Sequence, residues 1–343
     1  MNKFLIFVFS IFWLFGCVWE YQNHHVIQQS QQVTQSDLQE TLKNFDISQL
    51  KDLQNTTFYS TPDLDFLDFL VERIDKSTQK VWVEVYIFTE KRLQKALVDA
   101  HKRWVDVKII LEKNVYKAQN LNRKTFEYFE KNWVKVVWSE SKNYALNHTK
   151  MMILDEEVFV STGNYSYSTF RYNREFFLSF KDVEVKNILE EIFLHDFEWV
   201  PFQIDFPNLV LSPFSSRTKL ETLISSAQKN ILMYSLNFSD KSLKNLLIQK
   251  QQEWVKIQII FPDEKKVDSN SEVLQEFRNV GIEFVQVTKP SIHAKSILVD
   301  EQFLYIGSIN FSHPSITRNR EIWFLLKNTD IIEQFMKIFN EDF

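Results

Sequence analysis

Hydrophobic and polar positions change their period three times along the chain. Phe4 to Phe15 is an apolar run behind one positive charge, Lys3, and ends in Gly16-Cys17, the length and layout of a secretory signal. Residues 20–56 are rich in Gln, Asn, Ser and Thr with few large apolar side chains, which predicts a flexible tether with one short helix near its end. The adjacent His24 and His25 in it are expected to be solvated rather than metal-bound. From residue 57 onward β-branched runs alternate with stretches whose apolar residues recur at helical spacing. No second long apolar run follows, so several membrane spans are not expected.

The alternating part repeats itself at an offset near 150 residues. VYIFTEKRLQKALVDAHKRWVDVKII (85–110) matches SLNFSDKSLKNLLIQKQQEWVKIQII (235–260), pairing Phe88 with Phe238, Trp104 with Trp254 and Ile110 with Ile260. Each copy reads as strand, amphipathic helix, strand. The helices carry Leu93, Ala96, Leu97 and Ala100 in one copy and Leu243, Leu246 and Leu247 in the other. Upstream, Thr61-Pro62 and Ser212-Pro213 stand where the N-cap and first residue of a helix are expected. Downstream, a further helix (Arg123–Lys131; Glu272–Asn279) leads to a third strand. The pattern predicts two α/β domains, 57–205 and 206–343, each with helices covering a sheet.

Composition changes the picture at one point. The 343 residues include nine Trp and only four Gly, where an average composition would supply roughly 24 glycines. In the second copy the helix-to-strand turn is Asn279-Val280-Gly281, as a C-cap prefers; in the first it is Lys131-Asn132-Trp133. Trp104 and Trp254 stand at the same kind of turn, where an indole has no rationale. Trp104, Trp133 and Trp254 are therefore expected to be glycines in the native protein, encoded by UGA and read under an alternative bacterial code. Trp323 is a weaker candidate, because Phe177 fills its matching place. The net charge of −5 gives no overall field for nucleic acid, although Lys113, Lys117, Arg123 and Lys124 could line a groove. His101 and His195 fall in helical patterns and read as structural; His313, before Pro314, reads as a loop residue.

The chemistry lies in a duplicated His-x-Lys-x4-Asp: His148, Lys150 and Asp155 in the first copy, His293, Lys295 and Asp300 in the second. One such match is expected by chance about 0.04 times in a chain with this His content. Period-2 geometry puts His and Lys on one face of a strand, and a cation beside an imidazole suits a phosphate. Gly307-Ser308-Ile309-Asn310 and Asn319-Arg320-Glu321 follow in the second copy. Thr162-Gly163-Asn164 and Asn173-Arg174-Glu175 follow in the first, one residue shorter. Asn amides can donate to phosphoryl oxygens and Glu can fix an imidazole tautomer. Asp155 and Asp300, near strand ends, are candidates for either chemistry or a turn hydrogen bond. Ser166, Ser168 and Ser312 suit either substrate contact or capping.

These residues resemble the HKD motifs of the phospholipase D superfamily, His-x-Lys-x4-Asp-x6-Gly-Ser-x-Asn, over about residues 57–343. The first copy departs from that pattern at Thr162-Gly163. The resemblance implies two similar α/β domains, each a mixed sheet flanked by helices, related by a pseudo-twofold axis and building one site as an intramolecular pseudo-dimer in a monomer. It implies His148 as nucleophile and His293 as general acid. Lys150, Lys295, Asn164, Asn310 and Ser308 would hold the phosphoryl group, Glu175 and Glu321 would orient the histidines, and neither metal nor other cofactor is required. Leu14-Phe15-Gly16-Cys17 resembles a bacterial lipobox, which implies export and lipidation at Cys17, with the protein anchored on the outer face of the cell membrane. The expected activity is hydrolysis of a phospholipid head-group ester. A nuclease of the same superfamily and a cardiolipin synthase-like phosphatidyl transferase are the alternatives. A phosphate-binding module without turnover is disfavoured, because both motif sets are complete.

Overall fold

The computed structural model describes residues 45–139, 144–200, 202–263 and 270–343. Cys17, His24, His25 and the tether up to residue 44 lie outside them. In the first half, β1 (Thr56–Thr61), α1 (Leu64–Lys76), β2 (Lys80–Val85), α2 (Lys91–Lys102), β3 (Asp106–Glu112), α3 (Arg123–Lys131) and β4 (Lys135–Ser139) precede the first motif. β5 (Lys150–Leu154), β6 (Glu157–Ser161), α4 (Tyr167–Arg171), β7 (Asn173–Phe180) and α5 (Val183–Phe197) follow. The second half repeats the order with β8 (Leu209–Ser212), α6 (Ser216–Ser225), β9 (Asn230–Ser235), α7 (Lys241–Gln252), β10 (Lys256–Pro262), α8 (Ser271–Val280) and β11 (Glu283–Val287). It closes with β12 (Ser291–Ile292), β13 (Lys295–Val299), β14 (Phe303–Gly307), α9 (His313–Thr317), β15 (Glu321–Leu326) and α10 (Thr329–Asp342).

The strands form two mixed sheets with matching orders, β1-β7-β6-β5-β2-β3-β4 and β11-β10-β9-β13-β14-β15-β8. β2 runs parallel to β3 and β9 to β10, as the helical crossovers α2 and α7 require. Helices α1, α2 and α3 cover the outer face of the first sheet through Phe66, Leu70, Leu97 and Phe129; α6, α7 and α8 do the same for the second through Leu223, Leu247 and Phe277. Between the sheets lies a common core that includes Ile192 and Phe193 of α5 and Phe335 and Phe339 of α10. Phe176 of β7 meets Tyr234 of β9 and Phe335 at 5.1 and 5.4 Å, so the halves are one body rather than two linked globules.

Three expectations need correction. Thr61 and Ser212 are not helix caps: each ends a strand, opposite Glu175 and Glu321 respectively, and α1 is capped by Asp63, whose carboxylate accepts from Asp65 N and Phe66 N. Residues 45–55, expected to be tether, pack on the body. Leu50 and Leu53 are buried and Lys51 N donates to Asn208 at 2.9 Å; the expected short helix is a turn at Ile47–Gln49. His313 begins the short helix α9 rather than lying in a loop.

The tryptophan turns fall as expected, and among the described residues there are four of them. Trp104, Trp133 and Trp254 have φ of 70°, 61° and 68° and are 94%, 86% and 93% exposed. Trp199, which the repeat does not reveal, has φ 58° and follows α5. Each has the same paired hydrogen bonds as Gly281 at the end of α8: Trp104 N to His101 O and Val105 N to Ala100 O match Gly281 N to Arg278 O and Ile282 N to Phe277 O. This cap needs a left-handed residue, which a side chain makes costly and glycine makes free. Trp323 is different: it is fully buried against Tyr305, and a Cβ on Gly307 would come within 2.6 Å of its Cγ. Replacing Trp104, Trp133, Trp199 and Trp254 by Gly is expected to raise unfolding free energy by about 0.5–1 kcal/mol each in urea titrations, because relief of backbone strain outweighs the small loss of exposed indole contact. Peptide mass spectrometry of native protein is expected to show Gly at 104, 133 and 254; Trp masses there would remove the recoding idea.

Candidate active site

β5 and β13 are buried on both faces and apolar over Met151 to Leu154 and Ile297 to Val299, which fixes them in the middle of their sheets. Lys150 and Lys295 are their first residues, and His148 and His293 stand two places earlier. Both extended leads cross to the other half. β12 runs parallel to β7, with Ile292 opposite Arg174, and Asn147 forms the equivalent bridge to Arg320. His148 N donates to Arg320 O at 2.9 Å and His293 N to Arg174 O at 3.3 Å.

The crossing sets the partners of the imidazoles. His148 Nδ1 lies 2.8 Å from Glu321 Oε2, and His293 Nδ1 lies 2.7 Å from Glu175 Oε1. Each glutamate therefore serves the histidine of the opposite motif, although both sequence spacings run within one copy. With Nδ1 tied to a carboxyl, Nε2 is the nitrogen left for a substrate. Thr162 Oγ1 donates to Glu175 Oε2 at 2.7 Å. Ser308 stands in the matching place and accepts from Ile322 N at 3.4 Å, as Thr162 Oγ1 accepts from Phe176 N at 2.9 Å, so Thr162 replaces serine without loss of that contact. Gly163 is required beside it, since a Cβ there would lie 2.7 Å from Glu175 Cγ.

The two lysines are buried. Lys150 Nζ donates to His148 O at 2.5 Å. Lys295 Nζ donates to His293 O and lies 2.9 Å from His293 Nδ1. That nitrogen has one proton to give, and the Glu175 carboxylate is the acceptor that fits it. Asn164 and Asn310 each hold a buried Oδ1 with no hydrogen-bond partner among the described residues; their Nδ2 groups are the donors that could reach a phosphoryl oxygen.

Burial first, then the charges of Lys150, Lys295 and His293, hold His148 well below the ordinary imidazole value. Burial also lowers His293, but Glu175 opposes it. Glu321 is pushed up to about 8 by burial. For Glu175 the same burial is outweighed by His293, Lys295 and Thr162, and its carboxyl sits below the ordinary range. Burial takes Lys150 far down and Lys295 down to about 8. The site is a dry cluster of two cations, two imidazoles and two carboxyls, with the residues to receive a phosphate.

Asp155 and Asp300 do not join it. Each lies past the far end of its strand, about 16 Å along a five-residue strand from the lysine. Asp155 accepts backbone N–H bonds from Thr78, Gln79 and Lys80 at 2.9 Å, and Asp300 accepts from Gln228, Lys229 and Asn230. Both are turn-holding residues rather than catalytic ones. Ser166 caps α4 through Thr169 N and bonds Ser168, and His195 stacks on Phe202. Sequence reasoning missed Tyr86, whose ring lies 4.6 Å from that of His148 and 5.1 Å from Lys150 Nζ; its place just past β2 was the available signal. Among the described residues no group of three or more His, Cys, Asp or Glu is gathered as metal ligands would be, and no helix is long and apolar enough to cross a membrane.

The chain belongs to the phospholipase D-like superfamily: the family model described as Cardiolipin synthase, PLD-like domain matches it twice, over residues 70–197 and 220–343. It is similar to phospholipase D of Rickettsia prowazekii (strain Madrid E), with 28% identity over 115 residues, 33% of this chain and 56% of the relative. Phospholipase D of Rickettsia bellii (strain RML369-C) is 26% identical over 128 residues, 37% of this chain and 63% of the relative. The chain thus spans little more than half the length of the curated relatives it matches. Its fold is that of phosphatidylserine synthase from Haemophilus influenzae Rd KW20, with TM-score 0.69, 12% identity and 88% of each chain covered. Polyphosphate kinase from Porphyromonas gingivalis shares the fold at TM-score 0.66 and 13% identity, over 86% of this chain and 48% of that one. The two PLD-like halves form an intramolecular pseudo-dimer.

Replacing Asp155 by Ala leaves three N–H groups without their acceptor and is expected to cost about 1–3 kcal/mol of stability with kcat unchanged. Burial raises the Asp155 carboxyl, and the bonds from Lys80, Thr78 and Gln79 lower it further, for a net value below the ordinary 3.8. Its contribution is present above that value and lost as pH falls through the folded one. Urea titration beside steady-state kinetics checks this, and a collapse of kcat in the folded variant would return Asp155 to the chemistry.

Proposed function

We propose that the protein is a phospholipase D-type phosphodiesterase that hydrolyses a phospholipid head-group ester through a phosphohistidine. The observation that carries this is the pair of crossed His–Glu contacts, 2.8 and 2.7 Å long, around two buried lysines. His148, kept neutral by burial and by Lys150, attacks phosphorus through Nε2. The P–O bond to the head group breaks, and His293 gives its Nε2 proton to the departing oxygen. Water then returns a proton to His293 as its oxygen attacks phosphorus, the P–N bond breaks, and phosphatidate leaves. Attack requires Nδ1–H of His148 to be donated to ionised Glu321; burial opposes that ionisation, and the charge of Lys150 favours it. Lys150, Lys295, Asn164 and Asn310 hold the phosphoryl oxygens.

The rim supports a lipid. Tyr116 N donates to Tyr86 Oη at 2.7 Å, and Tyr172 O accepts from Ser291 N, two residues before His293. Tyr116, Tyr167 and Tyr172 are 73%, 53% and 58% exposed, with the Arg171 guanidinium 3.9 Å over Tyr167 and Lys117 over Tyr116. Rings with a polar tip beside cations suit a bilayer interface and anionic head groups. The names of the Rickettsia relatives agree, and an anchor at Cys17 would keep the site near its substrate. Nuclease action is the second reading, since the same rings could stack bases, but the net charge of −5 provides no long-range attraction for a polyanion.

The purified full chain, assayed on phosphatidylcholine, phosphatidylglycerol, cardiolipin and single-stranded DNA, is expected to release head group and to be indifferent to EDTA. His148→Ala and His293→Ala are each expected to lose at least about 1000-fold in kcat; full activity in either removes the two-histidine mechanism, and cleavage of DNA alone removes the lipid reading. In Glu175→Gln the upper limb of the pH profile is expected to move to lower pH. The general acid works only while protonated, and losing the Glu175 charge removes what raises His293. An unmoved limb would take the acid role from His293.

A further inference from the structure

The halves match closely where they meet, and the match fails behind His148. Glu84, Asn147 and Thr149 occupy the places of Tyr234, Ile292 and Ala294. On the second half's side Tyr234 and Arg174 are satisfied. Tyr234 Oη donates to Asp342 at 2.8 Å, Arg174 gives Nε and Nη2 to the same carboxylate at 2.6 and 2.9 Å, and Arg174 Nη1 reaches Thr61 O. On the first half's side Arg320, fully buried, gives Nε to Asp196 at 2.7 Å. Its Nη1 and Nη2, with Glu84 Oε2, Thr149 Oγ1 and Tyr144 Oη, have no partner among the described residues.

Asn147 ties this cluster to the catalytic loop. Its Nδ2 donates to Glu84 Oε1 at 2.5 Å, its Oδ1 accepts from Thr149 N at 3.0 Å, and its own N–H goes to Glu112 Oε2 at 2.7 Å. His148 is the next residue. Five buried unpaired polar atoms together would cost several kcal/mol at about 1–3 each, and an apolar solution stands in the other half, so stability does not explain them.

We propose that Glu84, acting through Asn147, is a positioning residue for His148. This rests on the two-histidine reading above. Burial, then the Asp196 charge, raise the Glu84 pKa well above the ordinary value against the pull of Arg320. The second histidine has no such support, since Ile292 and Tyr234 offer its loop nothing to bind. The pseudo-twofold site is thereby made unequal at the residue that must align with phosphorus.

Kinetics of Glu84→Leu and Asn147→Ile, the latter copying residue 292, test this beside thermal melting. Both are expected to lower kcat about 10- to 100-fold with KM within about threefold. Glu84→Gln is expected to return kcat to within about threefold of wild type, because its side-chain oxygen can still accept from Asn147 Nδ2. Asn147→Ala, the smaller deletion, gives the same reading if the bulkier changes fail to fold. A folded Glu84→Leu, Asn147→Ile or Asn147→Ala protein with wild-type kcat overturns the proposal, as does a Glu84→Gln protein as slow as Glu84→Leu. His148→Ala separates the two failures: if it is inactive while the Glu84 and Asn147 variants are normal, only the positioning role falls, whereas an active His148→Ala removes the reading of the site as well.

Discussion

Two backbone contacts, His148 N to Arg320 O and His293 N to Arg174 O, hold the active site together. Each joins the loop that carries a histidine to the strand that carries a glutamate, and each joins one half of the chain to the other. Because the next residues along those strands are Glu321 and Glu175, the same contacts that dock the halves deliver a carboxyl to each imidazole. Folding of either half alone would leave a His and Lys without the group that fixes the ring. The helices α5 and α10 and the phenylalanines between the sheets supply the apolar area that holds this docking. Arg174 and Arg320 add a charged strut to the last helix of the opposite half through Asp342 and Asp196.

Much of this was legible because the chain contains its own comparison. The repeat fixed the βαβ order and put Thr162 opposite Ser308; it also singled out three of the four tryptophan turns. Trp199 escaped because it lies at the end of α5, beyond the segments aligned, and only its φ of 58° exposes it. The crossing of Glu175 and Glu321 was not legible: spacing within a motif says nothing about the distant parallel pairings of Ile292 with Arg174 and of Asn147 with Arg320, which depend on how two finished halves dock. Asp155 and Asp300 read as chemistry because they recur with His and Lys. They recur because the turn into β2 and β9 is also duplicated, and a duplicated scaffold looks like a duplicated function in sequence. Residues 45–55 read as tether because their polar composition hides Leu50 and Leu53, which pack where no local period could show it.

The electrostatics of the cluster follow from its dryness. Two lysines without counter-ions outside the site are pushed toward their neutral forms, and a phosphate entering between them reverses that pressure at once. Charge that is costly to hold in the empty site is matched by the substrate, so binding and alignment draw on the same interaction.

Two identical subunits meeting about a twofold axis must carry the same residue on both sides, so a change that helps one copy is forced on the other. Joining the copies in one chain lifts that constraint. Glu84 and Tyr234 occupy equivalent strand positions, and only in a fused chain can one become a carboxyl bridge while the other remains an apolar ring with a single hydroxyl contact. The covalent link therefore does more than raise the effective concentration of one half for the other: it lets the ancestral symmetry decay, so that the two ends of one phosphodiester can meet different surroundings.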